Sequence, residues 1–224
     1  MKEDIKVSED QATAIENQTR NQSKSNKWMD EREFRLTASH FGEICKAQNR
    51  DIEKFCKSMH TPKDLSRVPA IRHGQTYESV ALKKFSELTG KKVLPSGFCI
   101  HPQFPYLGAT PDGFVQDESA VIETKCPFRG RNSKIEPGDD FSFLEKDDQG
   151  KTTLKKNSNY YYQITGQMKL SKRNHGYFVV FTHVDLFYEK ITLDEEFFTK
   201  NMLDKLKDFY YEHYCPYVAS VLKR

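Results

Sequence analysis

A chain of 224 residues, 37% hydrophobic and 30% charged, is sized for one domain with a substantial core. Its formal net charge of +3 permits contact with nucleic acid without requiring it. Five cysteines (Cys45, Cys56, Cys99, Cys126, Cys215), an odd number with no C-x-x-C pair, argue against a disulfide framework or a zinc knuckle. No apolar run approaches the ~20 residues of a membrane span, so a soluble intracellular protein is expected, with nucleus and cytoplasm both open to it if it is eukaryotic.

Residues 1–26 are mostly Gln, Asn, Ser, Lys and Glu. Their few apolar side chains offer little to offset ordering entropy, and a disordered polar tail is expected there. The domain proper, 27–224, opens near Trp28. From Trp28 to Phe41 the pattern reads as a helix, a break at Thr37–Ser39, and a second helix with Ser39 as its N-cap. Exposed amides, a hydroxyl and the guanidinium groups of Arg32 and Arg35 would also suit a phosphate. A plain cap beside solvated arginines explains the same residues.

Asp51–Met59 carries Ile52, Phe55, Cys56 and Met59 at helical spacing, and 61–69 reads as a loop. A helix over Ala70–Leu88 ends at Gly90, with Tyr77, Ala81, Leu82 and Phe85 on its apolar stripe. Glu78 sits at the edge of that stripe. A carboxylate there needs a partner, either a cation such as Lys84 or a metal.

Gly97–Ile100 reads as a strand ending at His101-Pro102, and Leu107–Pro127 as a hairpin. Thr110-Pro111-Asp112-Gly113 would form its turn and Ala120–Lys125 its second arm. Alternation puts Glu123 and Lys125 on one face with Val121, while Ile122 and Thr124 point the other way. Opposite charges two residues apart, near a turn aspartate, could hold a divalent cation beside an ammonium, as metal-assisted phosphodiester hydrolysis requires. A turn residue and a strand's wet face are the plainer readings of each residue alone.

The polar stretch 129–158 holds one hairpin, 141–144 with 152–154, and its Arg129, Arg131 and Lys134 could line a phosphate backbone or a solvated loop. Asn159–Leu170 is a tyrosine-bearing helix. Strands at 177–182 and 186–191 flank His183–Asp185, and an amphipathic helix from Glu195 to about Ala219 closes the chain. His101, His183 and His213 read as ordinary residues.

Pro111-Asp112, ten intervening residues, and Glu123-x-Lys125 resemble the PD-(D/E)XK nuclease superfamily. Trp28-x3-Arg32-x6-Ser39, Gly74-x3-Glu78 and Gln163 of the tyrosine helix extend the likeness to its YqaJ-like viral recombinase (lambda exonuclease) branch, over about residues 28–212. The resemblance implies an α/β fold with a restriction-endonuclease-like core, a mixed central sheet flanked by helices. It also implies a Mg²⁺-dependent deoxyribonuclease, with Mn²⁺ able to substitute, digesting duplex DNA from a 5′-phosphorylated end in recombination or repair. In that scheme Asp112, Glu123, the Thr124 carbonyl and Glu78 serve the metal, and Lys125 orients the attacking water. Arg32, Ser39 and Gln163 bind the 5′-phosphate or DNA. Thr165 departs from the lambda-exonuclease form, which has a second glutamine there, while Gln167-Met168 matches the related Q-x3-Q-M form. The implied partners are double-stranded DNA ends, a single-strand annealing recombinase and further copies of the chain, with no membrane. Two rival readings are a non-catalytic DNA-binding protein on a nuclease fold and an RNA-directed nuclease.

Overall fold

The computed structural model describes residues 5–46, 50–61, 65 and 67–223. The strands are β1 (Leu36–Thr37), β2 (Val93–Leu94), β3 (Leu107–Gly108), β4 (Gly113–Val115), β5 (Ala120–Lys125), β6 (Leu144–Lys146), β7 (Thr152–Leu154), β8 (His175–Phe181) and β9 (Leu186–Thr192). The helices are α1 (Glu9–Gln18), α2 (Asn26–Glu33), α3 (Phe41–Lys46), α4 (Ile52–His60), α5 (Pro69–Thr89) and α6 (Asn159–Leu170), followed by a helical run over 195–222.

The central sheet has the order β2-β4-β5-β8-β9. Only the β5–β8 pair is parallel, so the sheet is mixed. This is the α/β architecture expected from the sequence, and the two-residue period of β5 explains its layers. Val121 joins Phe178, Val180 and the α6 residues Ile164 and Met168 in one core. Ala120 and Ile122 join Tyr177, Val179 and the α5 residue Phe85 in another. Helices α5 and α6 therefore cover opposite faces. Gly90 ends α5 in the left-handed conformation at φ +70°, where a residue without Cβ is unstrained. A third core gathers β1, α3 and α4 against the closing helical run. That run contains π-helical segments at Phe198–Leu203 and Tyr210–Tyr214 within an otherwise α-helical course.

Four expectations are corrected. Over its described residues, 5–26, the N-terminal stretch is not a disordered tail. Ser8 caps α1 in a reciprocal capping box with Gln11, and Ile5, Ala12 and Ile15 are buried. Its few apolar residues suffice because the folded body receives them: Ile15 and Val7 pack with Phe98 and Ile100, and Ile5 joins the core that includes Leu36 and Phe41. Gly97–Ile100 is not a strand of the sheet, since its amides are taken elsewhere: Gly97 N–H donates to Glu16 and Phe98 N–H to Thr19 Oγ1. Only Cys99 makes a bridge, to Ala109. The hairpin turn is not Thr110–Gly113 but the interval between β4 and β5, where Asp117 has φ +66°. Asp112 already donates its N–H to the Ile122 carbonyl at 3.0 Å. Ser39 does not cap α3, because a 3₁₀ turn over Ala38–His40 runs directly into it. The expected 61–69 loop lies partly outside the described residues.

A Cβ at Gly97 would overlap the Glu16 carbonyl. Gly97→Ala is therefore expected to lever α1 off the body at a cost of about 1–3 kcal/mol. Limited proteolysis reads this as new cleavage before Trp28, and an unchanged digestion pattern would contradict the docking.

Candidate active site at the end of strand β5

Asp112, Glu123 and Lys125 come together because β4 and β5 are ladder neighbours. The Asp112 Oδ2 accepts from both the Thr124 N–H (2.6 Å) and the Thr124 hydroxyl (2.7 Å). Those two bonds fasten the aspartate across the strand end. Glu123 and Lys125 point to the α6 face, as their alternation predicts, and the ammonium donates to Glu123 Oε1 at 2.5 Å.

Helix α6 completes the setting through two glutamines one turn apart. Gln163 donates to Glu123 Oε1 (2.6 Å) and accepts from Lys125 (3.2 Å). Gln167 donates to Glu123 Oε2 (2.6 Å) and lies 3.3 Å from the Thr110 carbonyl. The Lys125 ammonium also sits 4.7 Å from the centre of the Tyr160 ring. Gln163 thus lies in the carboxylate centre rather than with Arg32 and Ser39. The role of Gln167 was not legible beyond its motif, although the Q-x3-Q spacing does place both amides on one helix face.

Glu78 approaches from α5 and makes no hydrogen bond or ion pair among the described residues. The salt bridge that sequence alone allowed to Lys84 is not formed, and that ammonium lies over the Phe181 ring instead. Glu78 and Asp112 share a cleft of about 500 Å³. Burial, and after it the charge of Glu123, raises the proton affinity of Glu78. Burial and then the charges of Glu123 and Glu78 push the Asp112 carboxyl well above the usual carboxylate range. Burial opposes the Lys125 ammonium, but Glu123 and Asp112 outweigh it and hold it protonated.

Three carboxyls against one ammonium leave an excess of negative charge in a poorly solvated place. A hard divalent cation would relieve it, and carboxylate oxygens are the donors Mg²⁺ and Mn²⁺ prefer. Among the described residues no three His, Cys, Asp or Glu side chains form a ready-made metal cage. Glu123 is engaged through both oxygens by Lys125, Gln163 and Gln167. The fit is therefore one of donor chemistry, with Glu78 the carboxyl left unengaged.

A second pocket of about 420 Å³ includes Trp28, Arg32, Thr37, His40 and His60, with the acidic Asp30 and Glu33 also in its wall. The Arg32 guanidinium stacks 4.0 Å from the Trp28 ring centre and has no acidic partner among the described residues. Burial pulls it down to about 10. Among the described residues the buried Nδ1 atoms of His40 and His60 also lack hydrogen-bond partners, while His60 Nε2 lies 3.7 Å from Glu33 Oε1. Ser39 is exposed, its Oγ 3.2 Å from Thr37 Oγ1, and Thr37 rather than Ser39 lines the pocket. Arg35 is structural. It is 5% exposed and spends its donors on Glu31, Pro105 and Ile5. Tyr210 and Tyr214 hold the end of α2 by donating to the Phe34 and Glu33 carbonyls (3.1 and 2.8 Å). The two pockets are linked, since Trp28 Nε1 donates to Thr110 Oγ1 at 3.0 Å, two residues before Asp112.

Beyond the strand end, Arg129 pairs with Asp140 at 2.9 Å. Arg131 stacks on Phe128 and donates to its carbonyl.

A mixed sheet whose strand end carries Asp, Glu-x-Lys and a helix-borne Glu defines a restriction-endonuclease-like α/β protein. The profile of the YqaJ-like viral recombinase domain matches residues 27–174, and the chain belongs to that family. An alkaline exonuclease from Laribacter hongkongensis shares the fold with a TM-score of 0.65 at 19% identity, over 89% of this chain and 97% of that one. SOX in a DNA complex aligns with a TM-score of 0.64 at 14% identity, over 92% and 72% of the two chains. SOX of KSHV in an RNA complex aligns with 0.57 at 13%, over 92% and 75%. No curated protein matches the sequence. Among the described residues no helix is long and apolar enough to cross a membrane.

Proposed function

We propose that this chain is a divalent-metal-dependent nuclease that hydrolyses phosphodiester bonds of duplex DNA, working as an exonuclease from a 5′-phosphorylated end. The observation that carries this reading is the crowding of Glu78, Asp112 and Glu123 around one ammonium, with Glu78 unpaired among the described residues. Asp112, Glu123, Glu78 and the Thr124 carbonyl would hold Mg²⁺, with Mn²⁺ substituting. When bound, such an ion supplies an acidified water and charge neutralisation at the scissile phosphate.

Each protein group then has a task. The Lys125 ammonium, kept protonated, donates to the attacking water or to a non-bridging phosphate oxygen and offsets charge developing in the transition state. Gln163 restrains both Lys125 and Glu123, and so would keep the ammonium in place were Glu123 to hold a cation. Gln167 restrains the other Glu123 oxygen and ties it to the loop before Asp112. Restraint of this kind lowers the reorganisation needed at the moment of reaction. The Arg32 pocket takes the terminal phosphate, its guanidinium supplying a charge-assisted bond to an anion from solution. Recombination or repair, with an annealing recombinase as partner and a homo-oligomeric state, is the biological setting this reading implies.

SOX is described both with DNA and with RNA, so substrate class is part of the test. The experiment follows linear duplex DNA bearing 5′-phosphate or 5′-hydroxyl ends, beside an RNA duplex and hairpin, with Mg²⁺ or chelator. Metal-dependent loss of phosphorylated DNA ahead of the other substrates is expected. Preferential RNA cleavage would reassign the substrate. Binding without cleavage under any divalent metal would leave a DNA-binding protein on a nuclease fold.

A further inference from the structure

The two residues before Asp112 are gripped from several sides. Trp28 donates to the Thr110 hydroxyl, Gln167 to the Thr110 carbonyl, and Ser96 Oγ to the Pro111 carbonyl. The fourth grip comes from Gln22, in the turn after α1 and outside the matched family region 27–174. Its Nε2 lies 3.2 Å from the Pro111 carbonyl and 3.2 Å from the Ser96 carbonyl. Both partners are acceptors, so the atom facing them is the nitrogen, and both amide hydrogens are used.

Gln22 does this from an unfavourable backbone. Its φ is +46°, a region where a side chain with Cβ is strained and glycine is the ordinary choice. The turn is fixed nonetheless by Gln22 N–H to the Thr19 carbonyl (2.8 Å) and Ser25 N–H to the Gln22 carbonyl (2.8 Å). Holding α1 to the body does not need the Gln22 side chain. Glu16 and Thr19 already bind Gly97 and Phe98, and Ile15 packs against Phe98 and Ile100. What the amide adds is a hold on the peptide next to the carboxylate, and strain maintained at such a point is characteristic of functional sites. Arg20 and Gln22 also line the same cleft as Glu78 and Asp112.

We propose that Gln22 is a positioning residue of the active centre: its amide clamps the Pro111 carbonyl and so fixes where Asp112 stands, making the turn after α1 a wall of the substrate cleft. The catalytic consequence rests on the nuclease reading above. The clamp itself does not.

The test uses the full chain with Gln22→Gly, which relaxes the backbone and deletes the amide. Gln22→Glu is also made, being of nearly the same size but setting an acceptor against two carbonyls. Three quantities are read: amide hydrogen exchange over 110–113 with 175–181 as internal reference, the thermal midpoint, and kcat and KM separately. In both variants exchange at 110–113, which includes the Asp112 N–H, should quicken about tenfold or more while 175–181 is unchanged. For Gln22→Gly the midpoint should stay within about 2 °C of wild type or rise. kcat should fall about tenfold to a hundredfold with KM within about twofold, because displaced catalytic groups cost turnover rather than binding.

Unchanged exchange at 110–113 would overturn the clamp whatever the activity does. Faster exchange spread over both α1 and 110–113 with a fallen midpoint in Gln22→Gly would also overturn it, leaving a tether for α1. Faster local exchange with unaltered kcat would overturn the positioning role. Faster local exchange in a protein whose wild type cleaves nothing would keep the clamp and remove the nuclease reading, so the two failures are separable.

Discussion

Asp112→Asn is expected to lower the cleavage rate of linear DNA by about 10³-fold, the scale of removing one preorganised charged group from a reacting centre. The same substitution is expected to stabilise the metal-free fold. The Asp112 carboxyl binds its proton far more readily in the folded chain than in the unfolded one, because burial and the charges of Glu123 and Glu78 oppose its ionisation. The folded state therefore binds more protons than the unfolded state between the ordinary carboxylate range and the raised value. Stability in chelator then falls as pH rises through that window. Asparagine removes the charge that causes the fall while leaving an oxygen to accept from Thr124. Each kcal/mol recovered raises Tm by roughly 2–4 °C in a chain of this size. Thermal unfolding in chelator at pH 5 and pH 8 checks the claim: the wild type should lose stability between them and the variant should lose less. Added Mg²⁺ should raise the wild-type Tm at pH 8 and leave Asp112→Asn nearly unmoved. A variant that is both inactive and less stable at pH 8 in chelator would show Asp112 to be a structural residue of the β4–β5 ladder instead.

Arg32→Ala carries the other large effect. A half-buried guanidinium with no acidic partner among the described residues is costly to keep, whereas Arg35, three residues on, has every reason to stay. Losing the Arg32 charge should therefore leave the thermal midpoint unchanged or slightly higher, net of its stacking on Trp28. A charge-assisted bond to phosphate contributes about 1.5–3 kcal/mol, so kcat/KM on 5′-phosphorylated duplex should fall about 10–100-fold. Duplex with 5′-hydroxyl ends offers no such bond and should be degraded as by wild type. Equal losses on both ends would mean that the pocket grips the backbone generally, and no loss on either would take the terminal phosphate out of it. Ser39→Ala should have the smaller effect, since Ser39 is exposed and outside the pocket lining.

Elements whose information is local are legible in the chain before it folds. The α5 stripe with its glycine stop, the alternation that sends Glu123 and Lys125 to one face and Ile122 and Thr124 to the other, and the continuous burial of β8 from Gly176 on are written in consecutive residues. The spacing of Asp112, Glu123 and Lys125 belongs to the same class, because a strand pair converts sequence separation directly into proximity. Whatever depends on distant partners emerges only on folding. Residues 5–19 are too polar to order alone and do so because Phe98, Gly97 and Ile100 supply the missing surface and backbone N–H donors, which also withdraws 97–100 from the sheet. Arg32 and Arg35 look alike in sequence and line one pocket, yet Arg35 is saturated by Glu31, Pro105 and Ile5 while Arg32 has no acidic partner among the described residues. The glutamines are the sharpest case. Gln163 and Gln167 draw their meaning from the carboxylate that β5 places beneath α6, and Gln22 from a carbonyl 89 residues away. An amide side chain carries no charge and no strong propensity, so only the fold shows what it holds.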